Sequence, residues 1–340
     1  MKRGQSALFA GAFLLVMVGL MAVHLYGRPR ILVVHSYDAD FPWTRDLNAG
    51  LGKVFAAGRR MLDVHWHYLN SNDYWAEPSR EVEKRAVERA VAEFRPQVLV
   101  AFDDEAQALV ARNFVGRSDL AVVFAGLDEE PDLYGYQNAG NITGVLERLP
   151  LPALRDLLDQ IGAGRPLRVA VLGDGSATAR AEAAQMAAFD WAAHRLVGDR
   201  QAADFPAWQQ EVAALDGQAD VLFLAGYRRV ARTPGSAKAV PGPEVVAWTE
   251  GHARALPVAA KLGFVADGGA LALTISAREQ AEVAGSLALA IVQGAAPGSL
   301  PIRTGTQFTV AMSAGRLAAR GVRLPTVYES AARAAGQWQP

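Results

Sequence analysis

Residues 98–106 read VLVAFDDEA, and this stretch sets the fold class of the chain. The apolar run 98–102 predicts a strand buried on both faces, because such a strand needs no alternation of polar and apolar residues. The acidic residues 103–105 then begin a helical pattern without an intervening loop. A buried strand that leads directly into a helix is typical of a parallel sheet covered by helices.

The same alternation extends in both directions from this stretch. It predicts a first unit with strands at 31–34, 61–68, 98–102 and 121–124 and helices at 43–57, 78–94 and 105–113. After 141–145 a second unit follows, with helices at 152–161, 177–194 and 206–215 and strands at 167–172, 195–197, 221–224 and 257–261. The tail adds a strand at 271–275, a helix at 277–293 and a strand at 307–312, and the Gly/Pro-rich stretch 233–243 predicts a surface loop. We therefore predict an α/β fold of two doubly wound, Rossmann-like lobes joined by structured crossovers.

The composition fits two lobes and excludes several classes of protein. The chain has 340 residues, 51% of them hydrophobic and 20% charged, which is enough apolar material for more than one core. Its formal net charge of -1 disfavours nucleic-acid binding, which draws on a surplus of Lys and Arg. The absence of cysteine excludes disulfides, thiol nucleophiles, zinc knuckles and an acylated lipoprotein anchor.

The N-terminus carries an export or anchoring signal. Lys2 and Arg3 precede an uncharged apolar run at 7–23, and Arg28 and Arg30 follow it. A helix of about 17 residues is within the range that spans a bilayer. Because no small-x-small cleavage site follows, we favour an uncleaved inner-membrane anchor over 1–28 with the rest of the chain in the periplasm. A cleaved signal, which would release the protein to the periplasm, is the alternative.

Several short motifs occur in an order that resembles one family. They are His-Ser-Tyr at 35–37, Phe-Pro-Trp at 41–43, Phe-Asp-Asp-Glu-Ala at 102–106, Val-Phe-Ala-Gly at 123–126 and Asn-Ile-Thr-Gly-Val-Leu-Glu at 141–147, with a matching tail at 263–269, 277–280, 294–297 and 321–325. Together they resemble the ABC-transporter substrate-binding proteins, in the branch that also supplies extracytoplasmic sensor domains of bacterial signalling proteins. The chain departs from the family pattern at Glu105 and at 173–176, and no ligand is carried over.

The resemblance implies a type I periplasmic-binding-protein fold with a ligand cleft between the lobes. It implies an N-terminal lobe at 30–145 and about 265–305, and a C-terminal lobe at 146–264 and about 306–335. It also adds Gly126 and Glu147 to the candidate ligand-binding residues. The implied partners are a small-molecule ligand, such as an amino acid or another small metabolite, and an ABC permease or a membrane sensor kinase or cyclase.

In the first unit, candidate binding residues follow from the rule that ligands bind beyond the carboxyl ends of parallel strands. Ser36 and Tyr37 end the first strand, where they can bind a ligand or cap and pack a helix. Trp43 can stack on a ligand or pack on its own lobe. Asp103, Asp104 and Glu105 suit a cationic group or a divalent ion, and helix capping is the structural alternative. A catalytic acid/base pair is disfavoured because adjacent side chains diverge.

In the second unit, the stretch 172–178 reads LGDGSAT and offers Asp174, Ser176 and Thr178 to the cleft. It fails as a dinucleotide-binding loop because Thr178 replaces the third glycine. Tyr227 ends another strand, where the following Arg228 and Arg229 can clamp a carboxylate or remain surface charges. His65 and His67 share one strand face, but further metal ligands are missing nearby, so we favour a strand-surface role.

These observations predict an extracytoplasmic small-molecule-binding protein that closes on its ligand and needs no cofactor, metal or catalytic residue. An exported α/β hydrolase-like enzyme is one alternative, although the sequence contains no Gly-x-Ser-x-Gly nucleophile elbow. A structural envelope protein that binds no ligand is the other.

Overall fold

The computed structural model describes residues 13, 14, 16 and 17 and the ranges 27–58, 61–71, 79–236, 238–261 and 263–340. The anchor predicted over 1–28 therefore lies almost entirely outside the described residues. Within these ranges, no helix combines the length and apolar character that crossing a membrane requires.

The first lobe is built on a parallel sheet that begins with the predicted buried strands. The described part of this sheet has six strands in the order β11-β5-β4-β3-β1-β2. Its elements before the first crossover are β1 (Arg30–His35), α1 (Pro42–Ala57), β2 (Asp63–Tyr68), α2 (Ser79–Phe94), β3 (Val98–Phe102), α3 (Asp103–Leu109), β4 (Ala121–Leu127) and β5 (Ile142–Leu146). All of its strand pairs are parallel, so their carboxyl ends lie along one edge.

The second lobe repeats this plan with a mixed sheet. The described strands run in the order β13-β12-β10-β9-β8-β6-β7, and β10 pairs antiparallel with β12. The elements are α4 (Leu151–Gly162), β6 (Arg168–Gly173), α5 (Ala177–Ala188), β7 (Arg195–Gln201), α6 (Phe205–Ala214), β8 (Val221–Ala225), α7 (Gly242–His252), β9 (Leu256–Ala259), α8 (Gly263–Ala266) and β10 (Leu271–Ile275). After an excursion to the first lobe, the chain adds β12 (Phe308–Ser313), α10 (Ala314–Ala319), α11 (Thr326–Ala334) and β13 (Trp338–Gln339).

The chain crosses between the sheets after β5, after β10 and after β11 (Arg303–Thr304). The second crossing corrects an expectation, because we placed the return to the first lobe at about 265. Strand β10 pairs with β9 in the second sheet, and the return begins with α9 (Ala277–Val292), which packs on α1. The apolar run 271–275 has the same pattern in either sheet, so the sequence did not reveal this.

Small residues explain how closely α9 lies against the first lobe. Ala281, Ala284 and Ala288 are buried in one core cluster with Leu47 and Leu51 of α1. A Cβ atom on Gly50 would lie 2.5 Å from the carbonyl oxygen of Arg278, so the two helix backbones meet where a side chain cannot fit. The first lobe therefore holds α9 firmly by close packing.

Several predicted boundaries differ from the structure. The predicted helix 105–113 begins at Asp103 and gives way to a 3₁₀ turn at Ala111–Phe114, and the helix 177–194 ends at Ala188. Helix α7 was not predicted, because its start is hidden by the Pro-Gly-Pro sequence at 241–243 that reads as a loop.

On β2, the ring of His65 stacks on Phe94 with centroids 3.8 Å apart, and His67 Nε2 lies 3.0 Å from Glu83.

Candidate functional site

The two sheets bring the carboxyl ends of their central strands together, and several charged side chains meet there. We call the set formed by Tyr37, Asp103, Asp128, Glu147, Glu182 and Lys261 the interlobe site. The first four follow β1, β3, β4 and β5 of the first lobe, Glu182 lies in α5, and Lys261 follows β9. This is where the strand-end rule places a ligand.

Asp103 combines burial with an unusual backbone. It directly follows β3, has φ of 67° and is 8% exposed. The indole Nε1 of Trp43 donates to its Oδ1 at 2.9 Å, while Oδ2 is buried without a hydrogen-bond partner among the described residues. Burial raises its pKa well above the usual range, and the nearby carboxylates of Asp104 and Asp128 act in the same direction. One oxygen of Asp103 is therefore held by Trp43, and the other has no hydrogen-bond donor among the described residues.

Gly126 explains how Asp103 fits against β4. A Cβ at this position would lie 2.9 Å from Asp103 Oδ1, and the residue has φ of 63°. Its backbone N–H donates to Oε1 of the buried Gln280 at 3.3 Å. Gly126 therefore contributes space and a fixed backbone rather than a side chain.

Asp104 has a local structural role. Its carboxylate accepts hydrogen bonds from Tyr134 Oη at 2.8 Å and from the backbone N–H groups of Asp128 and Glu129 at 3.2 Å each. Burial raises its pKa to about 6, with the field of Asp128 adding to the effect. Asp104 therefore fixes the loop after β4 and so sets the position of Asp128.

Lys261 is the cation at the centre of the interlobe site. Its Nζ lies 2.7 Å from Glu182 Oε1 and 3.8 Å from both Asp128 Oδ2 and Glu147 Oε1. Burial alone would lower the pKa of Lys261, but the fields of Asp128, Glu182 and Glu147 raise it well above the usual value. Lys261 thus joins carboxylates of both lobes.

Burial raises the pKa of each of the three carboxyl groups around Lys261. Burial raises the pKa of Glu147 well above its usual range and that of Asp128 to about 6, although Lys261 lowers both. Glu182 is fully buried, and its pKa is raised by the same cause. One ammonium does not offset the loss of hydration of three carboxylates.

Tyr37 and an ion pair form the outer part of this region. Burial raises the pKa of Tyr37, and the field of Asp103 adds to the shift. Its ring lies 4.9 Å from that of Phe41. Arg229 of the second lobe reaches Glu105 of the first lobe at 3.1 Å. This pair joins the two rims directly.

The remaining predicted residues are engaged within their own lobes. Ser36 is fully buried, and its hydroxyl donates to the Phe102 carbonyl oxygen at 2.8 Å and accepts from the Ala106 N–H at 3.0 Å. Ser176 caps α5 by accepting from the Ala179 N–H, and Thr178 lies half-buried in the first turn of that helix. Tyr227 is 1% exposed and donates to Asp267 Oδ2 at 2.7 Å. Ser36, Ser176 and Tyr227 therefore bond within their own lobes.

Sequence reasoning missed Lys261, Asp128 and Glu182. The first two follow strands β9 and β4 closely, so the strand-end rule could have found them. Glu182 sits in the Ala-rich helix α5, where its sequence context gives no sign of burial.

Other features of the described residues carry no comparable chemistry. A surface hollow of about 610 Å³ lies between α1 and α9, lined by residues such as Lys53, Val54 and Leu289, away from the interlobe site. No group of His, Asp or Glu side chains in the described ranges is arranged to hold a metal ion. His35 is buried between Phe102 and Tyr68, and burial lowers its pKa to about 3.

One helix turn ties the three crossovers together. Gln280 Nε2 donates to the Leu146 carbonyl oxygen of the first crossover at 3.1 Å. Glu279 accepts from the N–H groups of Thr306 and Gln307 in the third crossover at 2.8 and 2.6 Å. Ser276, in the second, donates its N–H to the Gln307 carbonyl oxygen at 2.9 Å. The first turn of α9 is therefore the centre of the hinge region.

We compared the chain with known proteins by sequence and by structure. No protein-family model and no curated protein sequence matches the chain. A ligand-free, open substrate-binding protein with adhesive properties from Clostridium difficile is 16% identical, with a TM-score of 0.63 over 88% of this chain and 96% of that one. The ABC domain from Streptococcus pneumonia in complex with L-Trp is 13% identical, with a TM-score of 0.62 over 88% and 98% of the two chains.

A sugar-binding protein of a sugar ABC transporter from Bacillus halodurans has the same architecture. It is 10% identical, with a TM-score of 0.56 over 84% of this chain and 97% of that one. The fold is therefore the two-lobe fold of type I periplasmic binding proteins, which confirms the predicted fold class. At these identities the likeness is one of fold.

Proposed function

We propose that the protein is an extracytoplasmic small-molecule-binding protein whose lobes close on a ligand at the interlobe site. The observation that carries this proposal is the convergence of side chains from both lobes at facing strand ends, with Lys261 of the second lobe among Asp128 and Glu147 of the first. A ligand that contacts both faces binds the closed arrangement better and shifts the lobes towards it.

The hinge region gives this closure a structural basis. All three crossovers are short segments that meet at the first turn of α9, where Gln280 bonds to the first, Glu279 to the third, and Ser276 of the second bonds to Gln307 of the third. Short segments that absorb a change in backbone angles are the usual site of hinge motion between packed domains.

The output of closure is recognition by a membrane partner. The solved structures with this fold include a substrate-binding protein and the sugar-binding protein of a sugar ABC transporter. We extend this to a permease or a signalling partner at the membrane, with residues 1–28 as an uncleaved anchor and the lobes in the periplasm. N-terminal sequencing of the chain recovered from membrane and soluble fractions distinguishes this anchor from a cleaved signal.

Binding and closure are measured together. The chain lacks cysteine, so Asp132→Cys in the first lobe and Thr233→Cys in the second accept spin labels without background labelling. Calorimetry against a panel of amino acids, amines, nucleosides and sugars identifies the ligand, and pulsed spin-resonance distances follow the lobes. We expect stoichiometric binding and a shorter label distance. A ligand that binds without any change in distance, or that is converted to product, would contradict the proposal.

A further inference from the structure

The interlobe site contains more acidic than basic side chains. Its buried carboxyls lie in each other's fields, and the described ammonium among them is that of Lys261; these carboxyls are Asp103, Asp128, Glu147 and Glu182. The neighbouring guanidinium groups are bonded elsewhere. Arg148 Nη1 donates to the carbonyl oxygens of residues 127, 128 and 147, and Arg229 pairs with Glu105.

Two carboxyls of the interlobe site, Asp103 and Glu182, have buried oxygens without a hydrogen-bond partner among the described residues, and of the two only Glu182 lies against Lys261, at 2.7 Å. The Asp103 residue is only 8% exposed, and its Oδ2 is buried without a hydrogen-bond donor among the described residues. Trp43 donates to the other oxygen at 2.9 Å, which fixes the orientation of the carboxyl group. A buried acceptor left in this state is costly, and a donor on a bound molecule removes the cost.

We infer that the ligand carries a protonated nitrogen with N–H donors, an ammonium or amidinium group, which binds Asp103 Oδ2 with Glu147 beside it. The inference rests on the proposed function and specifies its ligand class. The two carboxyls lie near one another, since the field of Asp103 helps to raise the pKa of Glu147. An N–H donor is required because the oxygen is short of a hydrogen bond as well as of positive charge.

An anionic ligand fits the same residues poorly. Lys261 Nζ already lies 2.7 Å from Glu182, so a ligand carboxylate would displace an internal partner. It would also enter the field of the buried carboxyls around that lysine. The apolar part of an amine has a surface to lie on in the neighbouring rings of Tyr37 and Phe41.

The test compares compounds that differ in charge on one carbon frame. The first set is cadaverine, 1,5-pentanediol and glutarate; the second is 2-phenylethylamine, 2-phenylethanol and 3-phenylpropionate. Any ligand from the panel is compared in the same way with its N-acetyl form. Calorimetry on the full chain should give amine affinities at least about 30-fold above those of the matched alcohol and acid.

Two variants locate the effect. Asp103→Asn and Glu147→Gln keep the side-chain shape and remove the charge, and each should weaken amine binding by about 10- to 100-fold. Asp119→Asn is the control, because Asp119 is a surface acid that precedes β4 at the opposite edge of the same sheet and pairs with Arg117. Melting curves verify that each variant is folded, and Glu147→Gln carries the test if Asp103→Asn does not fold.

The outcomes separate the two proposals. If a ligand binds and closes the lobes, but its uncharged analogue binds equally well or both cleft variants retain the affinity, the charge inference is wrong and the proposed function stands. If no amine and no panel compound binds or moves the labels, the proposed function itself fails.

Discussion

Asp103 in the first lobe and Asp174 in the second each follow an inner strand of a sheet, but their carboxylate oxygens have different hydrogen-bond partners. Phe102 pairs with Ala125 in one sheet, and Gly173 pairs with Ala225 in the other. Each aspartate follows the first member of its pair, and a glycine with positive φ, Gly126 or Gly226, follows the second. A Cβ on these glycines would lie 2.9 and 3.1 Å from Oδ1 of the respective aspartate.

The difference lies in what the carboxylate oxygens contact. Asp174 accepts from the Ser176 N–H at 3.1 Å with Oδ1 and from the Arg229 N–H at 3.0 Å with Oδ2. It does in the second lobe what Ser36 does in the first, which is to fasten the loop after the neighbouring strand. Asp103 keeps Oδ2 without a donor. The backbones differ as well, since Asp103 has a positive φ and begins a helix while Asp174 does neither. We assign a structural role to Asp174, whose oxygens are both bonded, and propose a binding role for Asp103, which has one oxygen without a donor.

Neutralising each aspartate should separate the two roles most clearly. Asp174→Asn should lower the free energy of unfolding by about 2–4 kcal/mol, because two backbone N–H groups lose a charged acceptor. Asp103→Asn should leave stability unchanged or raise it, because the amide avoids the cost of burying a charge and can still accept from Trp43. Urea unfolding at pH 7, followed by tryptophan fluorescence, measures both. Equal losses would show that Asp103 is also a structural residue.

The pH dependence of stability extends the comparison to two carboxyl groups, Asp128 and Asp220, whose pKa values are shifted in opposite directions. The pKa of Asp128 is about 6 in the folded protein, above its usual value of 3.8, so the native state binds this proton more tightly than the unfolded chain. Wild type therefore loses stability at this residue as pH rises from about 4 to 6. Asp128→Asn lacks this loss and should gain up to about 3 kcal/mol over wild type between pH 4 and 7.

Asp220 at the base of the second lobe is the matched control with the reverse sign. Burial would raise its pKa, but hydrogen bonds from Arg168 outweigh this and lower it. Its contribution is present above the usual pKa and is lost as pH falls, so Asp220→Asn should be most harmful at neutral pH. His35, with a pKa of about 3, makes every variant less stable below about pH 6.5, so only differences from wild type are compared. Parallel curves for the two variants would contradict the assignment.

The paired glycines give a smaller effect. Alanine at Gly126 or Gly226 should each cost about 1–2 kcal/mol, because both have positive φ. Gly126→Ala should in addition weaken ligand binding, since its methyl group would press on the oxygen that Trp43 holds. Gly226→Ala presses on an aspartate that binds only backbone, so its affinity should stay near that of wild type. Thermal melts and calorimetry on the same samples distinguish the two.

The rim ion pair between Arg229 and Glu105 should matter least. The Arg229 side chain is 58% exposed, and exposed pairs contribute about 0.2–1 kcal/mol. Arg229→Gln should therefore change ligand affinity by less than about fivefold, with the change shrinking at high salt. A loss as large as that of Asp103→Asn would make the rim, rather than the buried edge, the centre of binding.

The sequence predicted the lobes well and the site in part. Strands such as 98–102 are recognisable because both faces are buried, and the strand-end rule led directly to Asp103 and Tyr37. The rule could not separate Asp103 from Asp174, since that depends on Arg229, which lies 55 residues further along the chain. The burial of Glu182 and the sheet to which β10 belongs are likewise set by packing between distant segments.

The first turn of α9 has a mechanical consequence for the whole molecule. Glu279 and Gln280 bond to the first and third crossovers from one short stretch of helix, so we expect these segments to rotate together rather than one at a time. Because the rims of the lobes are distant from this turn, a small rotation there would displace the rims by a larger distance. Gln280 lies outside the interlobe site, yet its substitution should alter the amplitude and the rate of lobe opening and closing.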